Sequence, residues 1–277
     1  MRYDLEQPEH AYLLGFLLGD GHLHAGPGRK GVLSIELHER DGELLDRLVC
    51  LLPGATRSER TRTTNFSTGA YTSAILSCAR LEVREALRAV GLPEGAKNDL
   101  IRPPSMPYSL RDFARGYCDA DGSLGLTGRG MPFVSLVSKS PAMADWWCQE
   151  VVPHSGVTRT WKPNKRDGVA NVMVANEAAQ RLAAWLYGPG DLALARKATS
   201  AAAMQEWVRP TGMRRAYTAR RWTPDEDALV MQGRVAQKDL AAMLGRTVQS
   251  VSLRQWRLRA AARSQESDGR TVRPAAT

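Results

Sequence analysis

Two aspartates carry the strongest chemical signal in this chain. Asp20 closes the string Leu13–Gly21, LLGFLLGDG, and Asp121 closes Ala114–Gly122, ARGYCDADG, each one step before a glycine. In both strings a glycine is followed four residues later by a small residue, Gly15 by Gly19 and Gly116 by Ala120. Small residues at i and i+4 share one helix face, and without side-chain bulk there two helix backbones can approach closely. Each aspartate falls at the C-terminal end of its helix, where the macrodipole disfavours negative charge, so helix stability does not explain it. Packing the two helices together would bring both carboxylates to the seam. Close carboxylates raise each other's pKa unless a cation lies between them, and the pattern is that of a hard-metal site.

The elements needed to hold that pair repeat along the chain. The two aspartates are 101 residues apart. Val32–Leu52 shows a strand alternation, with Leu33, Ile35 and Leu37 on one side and Ser34, Glu36 and His38 on the other, running into a helical period. Phe133–Val152 repeats that order. Two further strands are expected in each half, Thr56–Thr64 and Tyr71–Ser77, then Val157–Lys162 and Val169–Ala175. A closing helix follows in each, Arg80–Val90 and Glu177–Tyr187. A lysine comes last: Lys97 lies 77 residues after Asp20, and Lys197 lies 76 after Asp121. Halves of that length suit a duplicated domain rather than a solenoid repeat.

The two strings resemble the LAGLIDADG motif of the homing endonucleases that carry it, specifically the single-chain members with two copies, and the resemblance spans about residues 8–205. It implies an α+β fold of two pseudo-symmetric αββαββα repeats forming a saddle, residues 1–104 and 105–208. It implies a site-specific double-strand break, by metal-dependent phosphodiester hydrolysis, in a long asymmetric DNA target. On this resemblance Asp20 and Asp121 each ligate a metal, helped by the backbone carbonyls of Gly19 and Ala120. Lys97 and Lys197 order or polarise the attacking water and offset transition-state charge. Mg2+ suits such a site because it prefers oxygen and keeps several waters. Mn2+ is expected to substitute, and Ca2+ to bind without supporting cleavage.

The resemblance also gives the strands to DNA, one face for the core and one for the major groove. The candidate contacts are Ser34, Glu36, His38, Arg57, Arg60 and Arg62 in the first half, and Ser135, Lys139, Arg159, Lys162, Lys165 and Arg166 in the second. Unlike halves imply an asymmetric target. His22 and His24 are read as a solvent- or DNA-facing hairpin, since Mg2+ prefers oxygen to imidazole. Two positions depart from the motif. Leu18 replaces its first acid, without consequence because Asp20 is the metal-facing one, and Arg115 replaces a small residue and must point away from the seam.

Composition places the rest. With 277 residues, 43% hydrophobic and 24% charged, the chain can bury a real core and hold two domains. No apolar run approaches membrane-spanning length and no signal peptide precedes Tyr12, so a cytoplasmic, bacterial or phage-encoded protein is expected, with no membrane and no small-molecule cofactor. Cys50, Cys78, Cys118 and Cys148 have no CxxC spacing and read as reduced core residues, not zinc ligands. The net charge of +9 is unevenly placed: residues 1–208 carry 24 Lys and Arg against 23 Asp and Glu, while 209–277 carry 14 against 6. A basic end on a balanced core points to nucleic acid.

That basic end divides into a linker, 209–221, a helical module, 222–262, and a tail expected to be disordered, 263–277. Thr223, Pro224 and Glu226 form a capping box at a helix start, Gly245 stops a second helix and Thr247 caps a third. The pattern reads as a helix-turn-helix and resembles a Myb/SANT-type domain. Gln249, Ser250, Arg254 and Arg257 are candidate base or phosphate contacts, while Val251, Trp256 and Leu258 are assigned to the core. The rival reading is a DNA-binding transcription regulator that kept the fold without cleavage; retention of both aspartates counts against it. An RNA maturase activity is left open. An intein is disfavoured by the start Met1-Arg2 and the end Ala276-Thr277, so a free-standing or intron-encoded monomer is expected.

Overall fold

Two helices with glycines on their facing sides organise the first unit. They are α1 (Pro8–Gly19) and α4 (Leu110–Asp121). Pro8 opens α1, where its missing N–H costs nothing. The structure is a computed structural model describing residues 1–26, 30–63, 70–97, 99–213 and 222–269. The chain divides into two units, Met1–Pro210 and Thr211–Thr277.

The first unit is a mixed α+β fold with antiparallel sheets. After α1, β1 (Gly21–Ala25), β2 (Gly31–His38), β3 (Thr56–Thr63) and β4 (Ala70–Cys78) form a sheet of order β1-β2-β4-β3. A 3-10 turn, Glu39–Asp41, leads from β2 into α2 (Gly42–Val49), and α3 (Leu81–Ala89) follows β4. After α4 come β5 (Gly122–Leu126), β6 (Pro132–Ser138) and β7 (Ala170–Ala175), in that order across a second sheet. Between β6 and β7 lies α5 (Pro141–Trp146), drawn out by a π-turn to Val151 and a 3-10 turn to Ser155. Next come α6 (Glu177–Leu186) and α7 (Ala195–Gln205). Leu33, Ile35 and Leu37 are buried and Glu36 and His38 exposed, the alternation a sheet with one covered face requires.

The second half departs from the expected αββαββα order. No strand forms over Val157–Lys162. Side chains, not a backbone ladder, tie this segment down: Arg159 Nε donates to the Met173 carbonyl of β7 at 3.2 Å, and Trp161 Nε1 to Asp145 at 2.7 Å. Pro163 directly follows and has no N–H to give. Cys50 is exposed, while the other three cysteines are buried; all are free thiols.

The second unit has three described helices, α8 (Pro224–Gln232), α9 (Gln237–Met243) and α10 (Val248–Gly269). The Thr223/Glu226 capping box is formed, with bonds of 3.3 and 3.0 Å, and Gly245 takes the left-handed conformation that ends α9. Val230, Leu240, Ala241, Leu244 and Val251 make its core, with Trp222 and Leu258 packed on it. Trp256 is not part of that core but 63% exposed. It follows Val251 by five residues, about 140° around a helix, so the two cannot share a face. Helix α10 runs to Gly269, past the domain end expected at 262; residues 270–277 of the expected tail, and 214–221 of the linker, lie outside the described residues. Arg209, expected to begin the linker, instead pairs with Glu177 at 2.5 Å and stacks on Trp207. Among the described residues no helix is long and apolar enough to cross a membrane.

Candidate metal centre and its surroundings

The seam between α1 and α4 is backbone against backbone. A Cβ on Gly15 would lie 2.9 Å from the Tyr117 nitrogen, and one on Gly116 would lie 2.9 Å from the Phe16 nitrogen, with carbonyl oxygens nearer still. Any side chain there would push the helices apart. At the C-terminal end of the seam, a Cβ on Gly19 would stand 3.3 Å from the Asp121 carboxyl carbon. The second carboxylate therefore lies over the residue that precedes Asp20. Desolvation at the seam and then the Asp20 charge push the Asp121 pKa up to about 6, against Lys97, Tyr117 and Lys197. Desolvation also raises Asp20, against the pull of Lys97, Lys197 and Arg196. Arg115 passes over the Tyr12 ring and turns away from this contact line, to Asp112, Asp191 and the carbonyls of Leu186 and Leu192.

Both lysines reach the helix ends, but in an arrangement the sequence did not suggest. Lys197 Nζ donates to the carbonyls of Cys118, Asp119 and Gly122, each at 2.7 Å. Lys97 Nζ donates to those of Leu17 at 2.8 Å, Gly19 at 2.6 Å and Gly21. An ammonium has three N–H groups, and all three are spent on carbonyls, which leaves none for an attacking water. In this arrangement Lys97 and Lys197, expected to order or polarise the water, reach backbone carbonyls instead. They cap the last turns of the helices and place positive charge at the negative ends of the dipoles, beside the carboxylates. Desolvation lowers the pKa of both, Lys97 to about 8. Lys197→Met should take this donor from the Asp119 and Gly122 carbonyls, while Cys118 keeps the Gly122 amide, around a residue only 4% exposed, at a cost of about 2 kcal/mol or more. Urea denaturation in EDTA measures this, and an unchanged midpoint would mean the carbonyls find other donors.

The candidate donors for an ion are all oxygen: Asp20, Asp121 and, as the resemblance implies, the Ala120 carbonyl. The Gly19 carbonyl, expected to help, already accepts from Lys97, and an ion there would face an ammonium. Among the described residues no group of three or more His, Cys, Asp or Glu could hold a metal. Two carboxylates suit a hard divalent cation that keeps its waters, and suit poorly one that needs a full protein cage. His22 and His24 stack on each other on the exposed side of β1. A cavity of about 250 Å3 opens beside Asp121, lined also by Leu18, Gly19, Val137 and Lys139.

Strand parity sorts the sheet residues. Ser34, Glu36 and His38 share the exposed face of the first sheet with Ser73, Tyr71, Arg60 and Arg62. Glu36 takes Arg62 at 3.3 Å and Ser73 Oγ at 2.7 Å there, and His38 meets Tyr71 edge-on. Arg57 is on the other face, over Gly42 and paired with Asp46 of α2 at 3.0 Å, because it is an odd number of residues from Arg60 and Arg62 is of Arg60's parity. It is thus removed from the expected DNA-facing set. On the second sheet Ser135 Oγ donates to Asn171 at 2.9 Å, and Val137, Met173 and Lys139 stand exposed on the same face. Lys162 and Lys165 are exposed, and Arg166 pairs with its neighbour Asp167. In the second unit Gln249 and Arg257 are exposed and the Ser250 amide is capped by Thr247. Arg254 is committed to Asp227 at 2.6 Å and leans on Trp222, a structural task in place of the expected DNA contact.

Two groups near the seam escaped the sequence. Asp119 is buried and accepts from the Tyr12 and Tyr187 hydroxyls at 2.7 Å and the Leu194 amide at 2.8 Å, tying α1, α4 and the segment after α6 together. Burial raises its pKa. Leu18, its counterpart, has no polar atom to do the same. Arg196, next to Lys197, reaches Asp41 of the first half, its Nε bonding both carboxylate oxygens at 3.1 and 3.0 Å. Their separation of 155 residues hid the pair.

No family model matches the chain, and no curated protein matches it. Its neighbours among solved structures are LAGLIDADG homing endonucleases. One is the LAGLIDADG meganuclease I-AabMI bound to uncleaved DNA, at 11% identity and a TM-score of 0.46, covering 72% of this chain and 89% of that one. The I-LtrWI LAGLIDADG homing endonuclease bound to target DNA is 8% identical, with a TM-score of 0.44 over 72% of this chain and 89% of that one. The homing endonuclease I-WcaI bound to its DNA recognition sequence is 12% identical, with a TM-score of 0.44 over 66% and 80%.

Proposed function

We propose that this chain is a LAGLIDADG-type endonuclease, a monomer that makes a Mg2+-dependent double-strand break at one long asymmetric DNA site. The observation that carries this reading is the pair of carboxylates, Asp20 and Asp121, at one end of a glycine-on-glycine helix seam, close enough that the Asp20 charge raises the Asp121 pKa. A structural protein gains nothing from two adjacent acids whose charges oppose each other. Asp20, Asp121 and the Ala120 carbonyl would hold the ion, which when bound polarises a phosphate and acidifies a water. Lys97 and Lys197 hold the carboxylates toward their ionised form and fix the backbone that carries them. The exposed sheet faces and the exposed side of α10, with Gln249 and Arg257, would meet DNA. The basic second unit equally suits a regulator that binds without cutting, and one experiment separates the two. Incubation with Mg2+ and a large genomic DNA pool, followed by sequencing of new ends, should give paired breaks at one site. Ca2+ and the Asp20→Asn/Asp121→Asn double variant should give none. Selective binding without new ends would favour the regulator.

The second unit's share of binding has its own test. Deleting 209–277 removes 14 basic and 6 acidic residues, and should weaken binding and flatten its salt dependence. Titration at several salt concentrations reads the slope, and an unchanged slope would mean that this end does not touch DNA.

A further inference from the structure

The two halves do not flank the carboxylate pair equivalently. Asp41 occupies the N-cap of α2, where an aspartate ordinarily accepts from its own helix, yet it caps nothing. Its carboxylate instead takes Arg196 Nε through both oxygens. Asp41 is only 9% exposed, while the Arg196 side chain is 45% exposed. Among the described residues neither Nη group of Arg196 has a hydrogen-bond acceptor, so the buried acid fixes the stem of the guanidinium and leaves its fork to solvent. Arg196 directly precedes Lys197, whose ammonium bonds the Cys118, Asp119 and Gly122 carbonyls around Asp121, and both Arg196 and Asp41 act on the Asp20 charge, so the pair stands beside the carboxylates. The counterpart positions in the other half hold no such pair. The strand registers Gly21↔Ile35 and Gly122↔Leu136 align Asp41 with Ala142, and the residue before Lys97 is Ala96. There Ser140 caps α5 in the ordinary way, from the Met143 amide at 3.2 Å.

Resting on the endonuclease reading, we propose that Arg196, oriented by Asp41, grips a phosphate on one strand only. The two strands are therefore cut with unequal help from the protein. A fork of N–H donors held by a buried carboxylate is the geometry that recognises a phosphate oxygen pair, and lysines spent on carbonyls cannot substitute for it.

The test uses the full chain and two substrates carrying the site recovered by end sequencing, a supercoiled plasmid and a linear duplex with each strand separately end-labelled. Arg196→Ala should slow one strand by about 100-fold, the scale of losing one positioned charge stabiliser, and the other by less than about threefold, so nicked circle accumulates. Asp41→Asn should slow the same strand, and Arg196→Lys should recover part of the loss. A second readout needs no cleavage: in EDTA, methylphosphonate at the central phosphates of one strand should weaken wild-type binding and leave Arg196→Ala indifferent. Equal slowing of both strands, or equal sensitivity of wild type and variant to methylphosphonate, overturns the assignment alone. A wild type that cuts neither strand overturns the endonuclease reading and the assignment with it.

Discussion

Asp121→Asn should abolish the double-strand break and, in the absence of metal, make the protein more stable. The carboxyl titrates near 6 in the folded chain, against an ordinary value of about 3.9 when unfolded. A raised carboxyl pKa means that the folded state binds more protons between those values. Stability therefore falls as pH rises from about 4 to about 6, and above that the whole cost is present. Two pKa units correspond to at most about 3 kcal/mol, and partial solvation of a half-buried group reduces this to about 1–2 kcal/mol. Asparagine keeps the shape without the charge. Calorimetry in EDTA at pH 7.5 should show a Tm gain of roughly 2–6 °C that shrinks toward pH 4, while cleavage in Mg2+ drops by about 1,000-fold or more. A destabilised variant would mean that Asp121 is held by bonds rather than strained by its neighbour; normal cutting of both strands would remove it from the chemistry.

Gly116→Ala should be among the most destabilising single-methyl changes available to this chain. Helix propensity alone favours alanine by about 1 kcal/mol, so the expected sign opposes the intrinsic preference. The added Cβ would meet the Tyr12 carbonyl and lie 2.9 Å from the Phe16 nitrogen, both backbone atoms that cannot rotate aside. Separating α1 from α4 would loosen Tyr12 from Asp119 and part the two carboxylates. A loss of about 3–5 kcal/mol in urea denaturation is expected. Gly128→Ala supplies the control: its Cβ meets nothing within 4 Å, and its stability should be within about 0.5 kcal/mol of wild type. Equal results for the two would mean that the seam is looser than it looks.

Much of this arrangement was legible because it rests on local pattern. The i, i+4 glycines, the strand alternation of 32–38 and the Thr223 capping box are each set within a few residues, and each is found where the sequence puts it. What was misjudged depends on distance or parity. Arg57, Arg60 and Arg62 looked like one basic stretch, but a strand sends neighbours to opposite faces, and Arg57 finds Asp46. Trp256 looked like core by composition, though its angle from Val251 puts it in solvent. Arg254 looked free until Asp227, 27 residues earlier, was brought beside it. Lys97 and Lys197 stand at matching distances after the two aspartates, but only the folded helix ends show how many carbonyls compete for each ammonium.

One further consequence concerns the open side of the second sheet. β7 is an edge strand, and with 157–162 unpaired it would offer free backbone groups to any passing strand. Such edges template aggregation unless something blocks them. Arg159 occupies the Met173 carbonyl with its side chain, and the same segment continues through Lys162, Pro163, Lys165 and Arg166. Through Arg159, the segment that does not become a fourth strand thus fills one acceptor of the edge strand it does not join.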